Sequence, residues 1–153
     1  MARAYSPKKT QIERILALLG GKDSIPLRKV PTMMQLHEAV VHRLPTGVVE
    51  SLEENLCTNR EVMLETIAVS PRTLARRKKE GVLSTEESDR ALRVARIAAL
   101  AEEVLGSRDE AIGWLQRPNR SLGGRVPLEL VRTDAGAAML ADVLGRLEHG
   151  VFG

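Results

Sequence analysis

The sequence predicts an all-α fold: a helix-turn-helix module joined by a long helix to a small helical C-terminal module. Three observations predict it. Apolar residues recur at helical spacing, and nothing alternates with period two for long enough to make a sheet. Helix-start signals of the form Ser/Thr-x-x-Glu recur at Thr58, Ser84 and Ser107. Gly and Pro residues end the periodic runs.

Met1 to Lys9 is polar and basic and reads as a mobile arm. Ile12, Ile15, Leu16 and Leu19 mark a first helix, stopped by Gly20-Gly21. After a loop holding Pro26 and Pro31, Met33, Leu36, Val40 and Leu44 mark a second helix, ended by Pro45. Met33 and Met34 read as core filler. Val49, Leu52 and Leu56 mark a third helix, which runs into the stretch Thr58 to Leu83.

That stretch organises the chain. Thr58 with Glu61 makes a capping box for one short helix. Ser70 caps a second, with Pro71 at the first helical position, where its missing N–H does no harm. Ile67, Ala68 and Val69 form the turn, with Ala68 where glycine is often found. The second helix carries Arg72, Thr73, Arg76, Arg77, Lys78 and Lys79, with Leu74 left to hold it down.

Beyond Gly81, Ser84 and Glu87 open the longest helix, to about Leu105. From Ala91 to Ala101 its only charged residues are Arg93 and Arg96, so this spine should be buried on two sides. Gly106 terminates it. Ser107 caps a helix holding Ala111, Ile112, Trp114 and Leu115, which Pro118-Asn119 ends. Gly123-Gly124 make a turn, Pro127 starts a short Pro-Leu-Glu-Leu helix, and Thr133 caps a final helix. Ala137, Leu140, Ala141, Leu144 and Leu147 form one stripe along that helix.

Charge is segregated along the chain. Residues 70–80 hold five Lys/Arg against one acid, a net of +4, while 31–69 hold two against six, a net of −4. The same basic run would serve equally as a solvated helix end, favoured by the helix dipole. A duplex phosphate backbone is the partner that concentrated charge on a recognition helix fits. N-terminal residues of such a helix enter the major groove, so Arg72, Thr73 and Arg76 are expected at base edges. Arg77 and Lys78 should lean towards phosphates, with Ser70 at the helix start. One recognition helix reads only a half-site, which calls for a homodimer; the apolar spine is the candidate seam.

Several function classes drop out. Tyr5, Trp114 and Phe152 are the whole aromatic complement, too few for single-strand or RNA binding by stacking. No apolar run approaches membrane-spanning length, and the lone Cys57 excludes an intramolecular disulfide, so a cytoplasmic location is expected. Cys57 reads as a small buried hydrophobe. Glu53-Glu54, Glu86-Glu87 and Glu102-Glu103 are adjacent pairs pointing roughly 100° apart on a helix, so they read as surface charges rather than acid and base. His37, His42 and His149 lack ligand spacing for zinc. Gly123-Gly124 lacks the Lys-Ser/Thr of a phosphate loop. No enzyme, metal or cofactor is expected.

The segment Trp114-Leu-Gln-Arg-Pro-Asn-Arg-Ser-Leu-Gly-Gly-Arg-Val-Pro-Leu-Glu-Leu-Val-Arg-Thr-Asp-Ala-Gly136 resembles the signature of Xre/MbcA/ParS-type antitoxins. A final helix and the tail His149-Gly-Val-Phe-Gly153 fit that pattern, as do Asp89-Arg90, Arg93 and Val104-Leu-Gly106. The resemblance covers about residues 60–153 and implies an all-α antitoxin that dimerises and represses its own operon. It also implies a partner, a RES-domain toxin attacking NAD, whose active site the C-terminal region blocks. On that basis 1–83 is expected to be an N-terminal helical region with the helix-turn-helix at 58–81. Residues 84–153 are expected to be the spine and toxin-binding domain. Arg125, Pro127, Arg132, Leu144, Leu147, Gly150, Val151, Phe152 and Gly153 are the expected toxin contacts. Plain core and turn chemistry accounts for Trp114, Leu122, Pro127 and Leu130 as well. A stand-alone helix-turn-helix regulator with a C-terminal effector or dimerisation domain is the rival reading.

Overall fold

The computed structural model describes residues 9–21, 25 and 31–150. The basic arm before Lys9 and the tail after Gly150 lie outside the described residues. The described elements are helical: α1 Gln11–Leu18, α2 Met33–Val41, α3 Gly47–Asn55, α4 Arg60–Ile67, α5 Pro71–Glu80, α6 Thr85–Leu105, α7 Arg108–Gln116, α8 Pro127–Leu130 and α9 Asp134–Glu148. A 3-10 turn, Arg120–Leu122, lies between α7 and α8.

Most of the described helices are assembled on α6. It packs against α1, α7 and α9, and also against α2, α3 and α4. Ala91, Ala95, Ala98, Ala99 and Ala101 are all buried on it, and their small side chains let neighbours approach from several directions. One apolar core therefore runs from Ile15 in α1 to Val143 in α9. The exposed residues of α6 are Glu86, Asp89, Arg96 and Glu103, all charged. This overturns the spine as an apolar dimer seam: Leu92, Val94 and Ile97 are at most 8% exposed, covered by helices of the same chain.

The helix ends follow local chemistry. Ser70 accepts from the Thr73 N–H at 3.0 Å with Pro71 behind it, and Ser84 and Glu87 close a full capping box. Ser107 forms the forward half of its box, accepting from the Glu110 N–H at 3.2 Å. Thr133 caps α9 through the Gly136 N–H at 2.9 Å. Arg117 is pushed to an extended conformation by the following Pro118, which ends α7. Asn119 then pairs with Arg125 across the Gly123-Gly124 turn, where both glycines have positive φ.

Four expectations are corrected. The cap of α4 is Asn59, whose side chain accepts from the Val62 N–H at 2.9 Å; Thr58 is occupied in closing α3, its N–H donating to the Glu53 carbonyl at 3.0 Å. Cys57 is exposed, because it is the left-handed residue (φ 51°) of that same closure. Met33 and Met34 are 46% and 65% exposed, since α2 turns Leu36 and Val40 inward. Leu44 is buried, but from the loop beyond α2.

The turn of the helix-turn-helix carries strain. Ala68 sits at φ 54°, ψ 50°, with the Val69 N–H donating back to the Leu64 carbonyl at 2.9 Å. A side chain in the left-handed region costs roughly 1–2 kcal/mol. Ala68 is exposed. Ala68→Gly is therefore expected to stabilise the fold by about 1 kcal/mol. A denaturation midpoint equal to or below wild type would refute it.

Candidate nucleic-acid interface and C-terminal surface

Helix α5 presents two faces. Leu74 is its one buried side chain, and Thr73 and Arg77 flank it half-buried. Arg72, Arg76, Lys78 and Lys79 are exposed. None of the ion pairs among the described residues involves Arg72 or Arg76. Thr73 Oγ1 bonds Ser70 Oγ at 2.9 Å, tying both hydroxyls into the helix start. Lys78 pairs with Glu50 of α3 at 2.9 Å, but both remain 40–45% exposed, a surface pair of small net worth.

Arg77 departs from its expected place. Its side chain is 17% exposed and turned towards α6, where Nε donates to Glu87 Oε1 at 2.8 Å. It also lies 3.5 Å from Glu80. Glu87, read from sequence as a surface charge, is buried. Burial would raise its carboxyl, but hydrogen bonding and charge from Arg77, with the Ser84 N–H, hold it below the ordinary glutamate value. Sequence spacing carried the signal: Arg77 is three residues after Leu74, hence on the same face.

A second tie that sequence reading missed comes from α6. Arg90 Nε donates to the Ile67 carbonyl at 2.6 Å, and its terminal nitrogen to the Ala68 carbonyl at 3.4 Å. It satisfies carbonyls at the end of α4 that the helix leaves unpaired.

The C-terminal part is fixed to this module by polar ties. Gln116 donates to the Leu56 carbonyl at 2.5 Å, Arg108 to Asn55 Oδ1 at 2.7 Å and Arg93 to the Arg132 carbonyl at 3.3 Å. Between α4 and residues 125–132 lies a groove of about 750 Å³, lined among others by Thr58, Val62, Glu65, Arg125, Glu129 and Arg132. It brings Arg125 and Arg132, both exposed, to one edge. Pro127 and Leu144 are buried, Leu144 completely, so they belong to the core and not to a docking face. Leu144 packs with Ala101 and Ala111, and Leu147 covers that cluster partly buried. Gly150 is exposed with φ 68°, turning the chain off the helix. Val151, Phe152 and Gly153 lie outside the described residues. The large exposed apolar residue of α9 is Met139, at 51%, which sequence reading passed over.

A capped recognition helix with an exposed cationic face, built onto a helical C-terminal module, defines the class: an all-α helix-turn-helix protein with a fused second module. Comparison with known proteins makes this particular. Residues 35–96 match the antitoxin Xre-like helix-turn-helix domain, and residues 100–150 match the antitoxin Xre/MbcA/ParS C-terminal toxin-binding domain. An antitoxin Xre of Yersinia enterocolitica is 35% identical over 107 residues, covering 69% of this chain and 72% of that protein. An antitoxin Xre of Photorhabdus laumondii is 29% identical over 110 residues, covering 71% and 74%. A protein of Sphingobium sp. named Prs ADP-ribosylating antitoxin is 32% identical over 79 residues, covering 46% of this chain and 50% of its own. The chain belongs to the Xre antitoxin family. Membership implies a protein toxin as partner, and the helix-turn-helix domain points to DNA. No helix among the described residues is long and apolar enough to cross a membrane.

Proposed function

We propose that this antitoxin silences a RES-domain toxin that degrades NAD, by placing its C-terminal segment over the toxin's active site. The same chain represses its own operon from the cytoplasm as a homodimer, with Arg72, Thr73 and Arg76 reading bases of double-stranded operator DNA. The observation that carries the DNA half is the outward face of α5, where Arg72 and Arg76 project with no ion pair among the described residues. Lys78 would exchange its weak pairing with Glu50 for a phosphate. On the toxin side the supporting residues are Arg125 and Arg132 at the groove edge, Leu147, and the chain from Gly150 onward.

Arg76→Ala is expected to cost about 1–3 kcal/mol in operator affinity and to relax preference at one base position. Lys78→Ala should weaken all sequences alike and lower the salt dependence. Titration against the DNA upstream of the protein's own coding sequence measures both. Unchanged affinity in the two variants would overturn the assignment.

A further inference from the structure

We infer that Arg77 and Glu87 form a positioning pair that sets the angle of the recognition helix against the spine, with Arg77 making no contact to DNA. The inference rests on the reading that α5 binds DNA. Arg77 Nε and its terminal nitrogen donate to the two oxygens of Glu87 at 2.8 and 3.4 Å, the fork-on-carboxylate arrangement that fixes direction as well as distance. The side chains are 17% and 7% exposed. Glu87 is itself immobilised, because Oε1 accepts from the Ser84 N–H at 2.7 Å within the capping box of α6. That box belongs to the first turn of a 21-residue helix packed against α1, α7 and α9.

Helix α5 needs such a device. Its apolar anchorage is Leu74 alone, and one buried side chain under ten residues allows the helix to rock about that point. Polar ties at both ends remove the freedom. Glu87 holds Arg77 near the C-terminal end. Arg90, one turn further along the same face of α6, holds the carbonyls of Ile67 and Ala68 just ahead of the N-terminal end. Glu80, the last residue of α5, is held in turn by Arg43 at 2.7 Å, while Arg43 Nε donates to the Leu83 carbonyl at 2.8 Å. The exposed Arg72 and Arg76 thus leave a helix whose roll is fixed from below. Four of the five cations of residues 70–80 remain outward; the fifth is spent inside the fold.

The test turns on sign. Glu87→Gln preserves the capping box, since Gln serves at that position, but removes the charge that orients Arg77. A positioning pair predicts operator affinity falling roughly tenfold, within the usual range for coupled sites. A phosphate-contacting Arg77 predicts the opposite: it would be freed, an anion near the DNA would be gone, and affinity would rise. Arg77→Lys is the second variant. It keeps the positive charge and loses the fork, so a positioning role predicts a similar roughly tenfold loss, while a phosphate contact tolerates lysine as a point charge. The double variant should be no worse than either single one, both losses arising from one interaction. All three are compared at equal helix content by circular dichroism. Affinity unchanged or raised in Glu87→Gln, or wild-type affinity in Arg77→Lys, overturns the pair while leaving DNA binding intact. Failure of the wild-type protein to bind its upstream DNA would overturn the DNA reading, and this assignment with it.

Discussion

Gly136→Ala is expected to destabilise the protein by about 3 kcal/mol, the upper end for forcing one extra carbon into a packed site. Gly136 lies buried in the first turn of α9, its N–H donating to Thr133 Oγ1 at 2.9 Å. A Cβ there would overlap the Leu130 carbonyl oxygen, stand 2.8 Å from the carbonyl carbon and 3.1 Å from Thr133 Oγ1. The obstacle is backbone, so no rotamer change relieves it. Either α8 or α9 must move, and both pack into the C-terminal part. Thermal unfolding should shift down by roughly 6–12 °C for a chain of this size. An unchanged midpoint would mean that the two segments do not approach so closely.

Deleting residues 150–153 is expected to abolish toxin neutralisation, a loss of about 3 kcal/mol or roughly a hundredfold in inhibition if the tail is the hot spot of the contact. Helix α9 ends at Glu148 with His149 as its cap, so the deletion begins outside the helix. Since Leu144 is fully buried, the proposed docking is carried to Leu147, partly buried, and the chain from Gly150 onward. The measurement is NAD consumption by the proposed RES-domain toxin at equal stoichiometry with full-length or truncated antitoxin. Full inhibition by the truncated chain would remove the tail as plug and leave the groove edge at Arg125 and Arg132 as the place to look.

Much of the fold was legible because short-range chemistry decides it. Ser70-Pro71, Ser84 with Glu87, Thr133, and the glycines at 106, 123 and 124 each act within four residues, and each helix starts or turns where they stand. Periodicity told which helices have an apolar face, but not which neighbour covers it. That is why the spine looked like a dimer seam when α1, α7 and α9 bury it, and why Leu144 looked like a docking residue. Thr58 lost the cap to Asn59 because closing α3 already used it, a competition between adjacent helices that no single-helix rule contains. Among the cations of α5, composition could not separate Arg77 from Arg76; the spacing of Arg77 from Leu74 could, and the partner on α6, ten residues further on, shows what that face is for.

The shared core also fixes how the protein is lost. Since Ala91 to Ala101 pack at once against the first helix and the last, neither end can melt without stripping the spine that supports the other. One unfolding event, or one proteolytic cut within the core, therefore ends the toxin binding and the proposed operator binding of a molecule in the same moment. The turnover of a single folded unit becomes the clock for both.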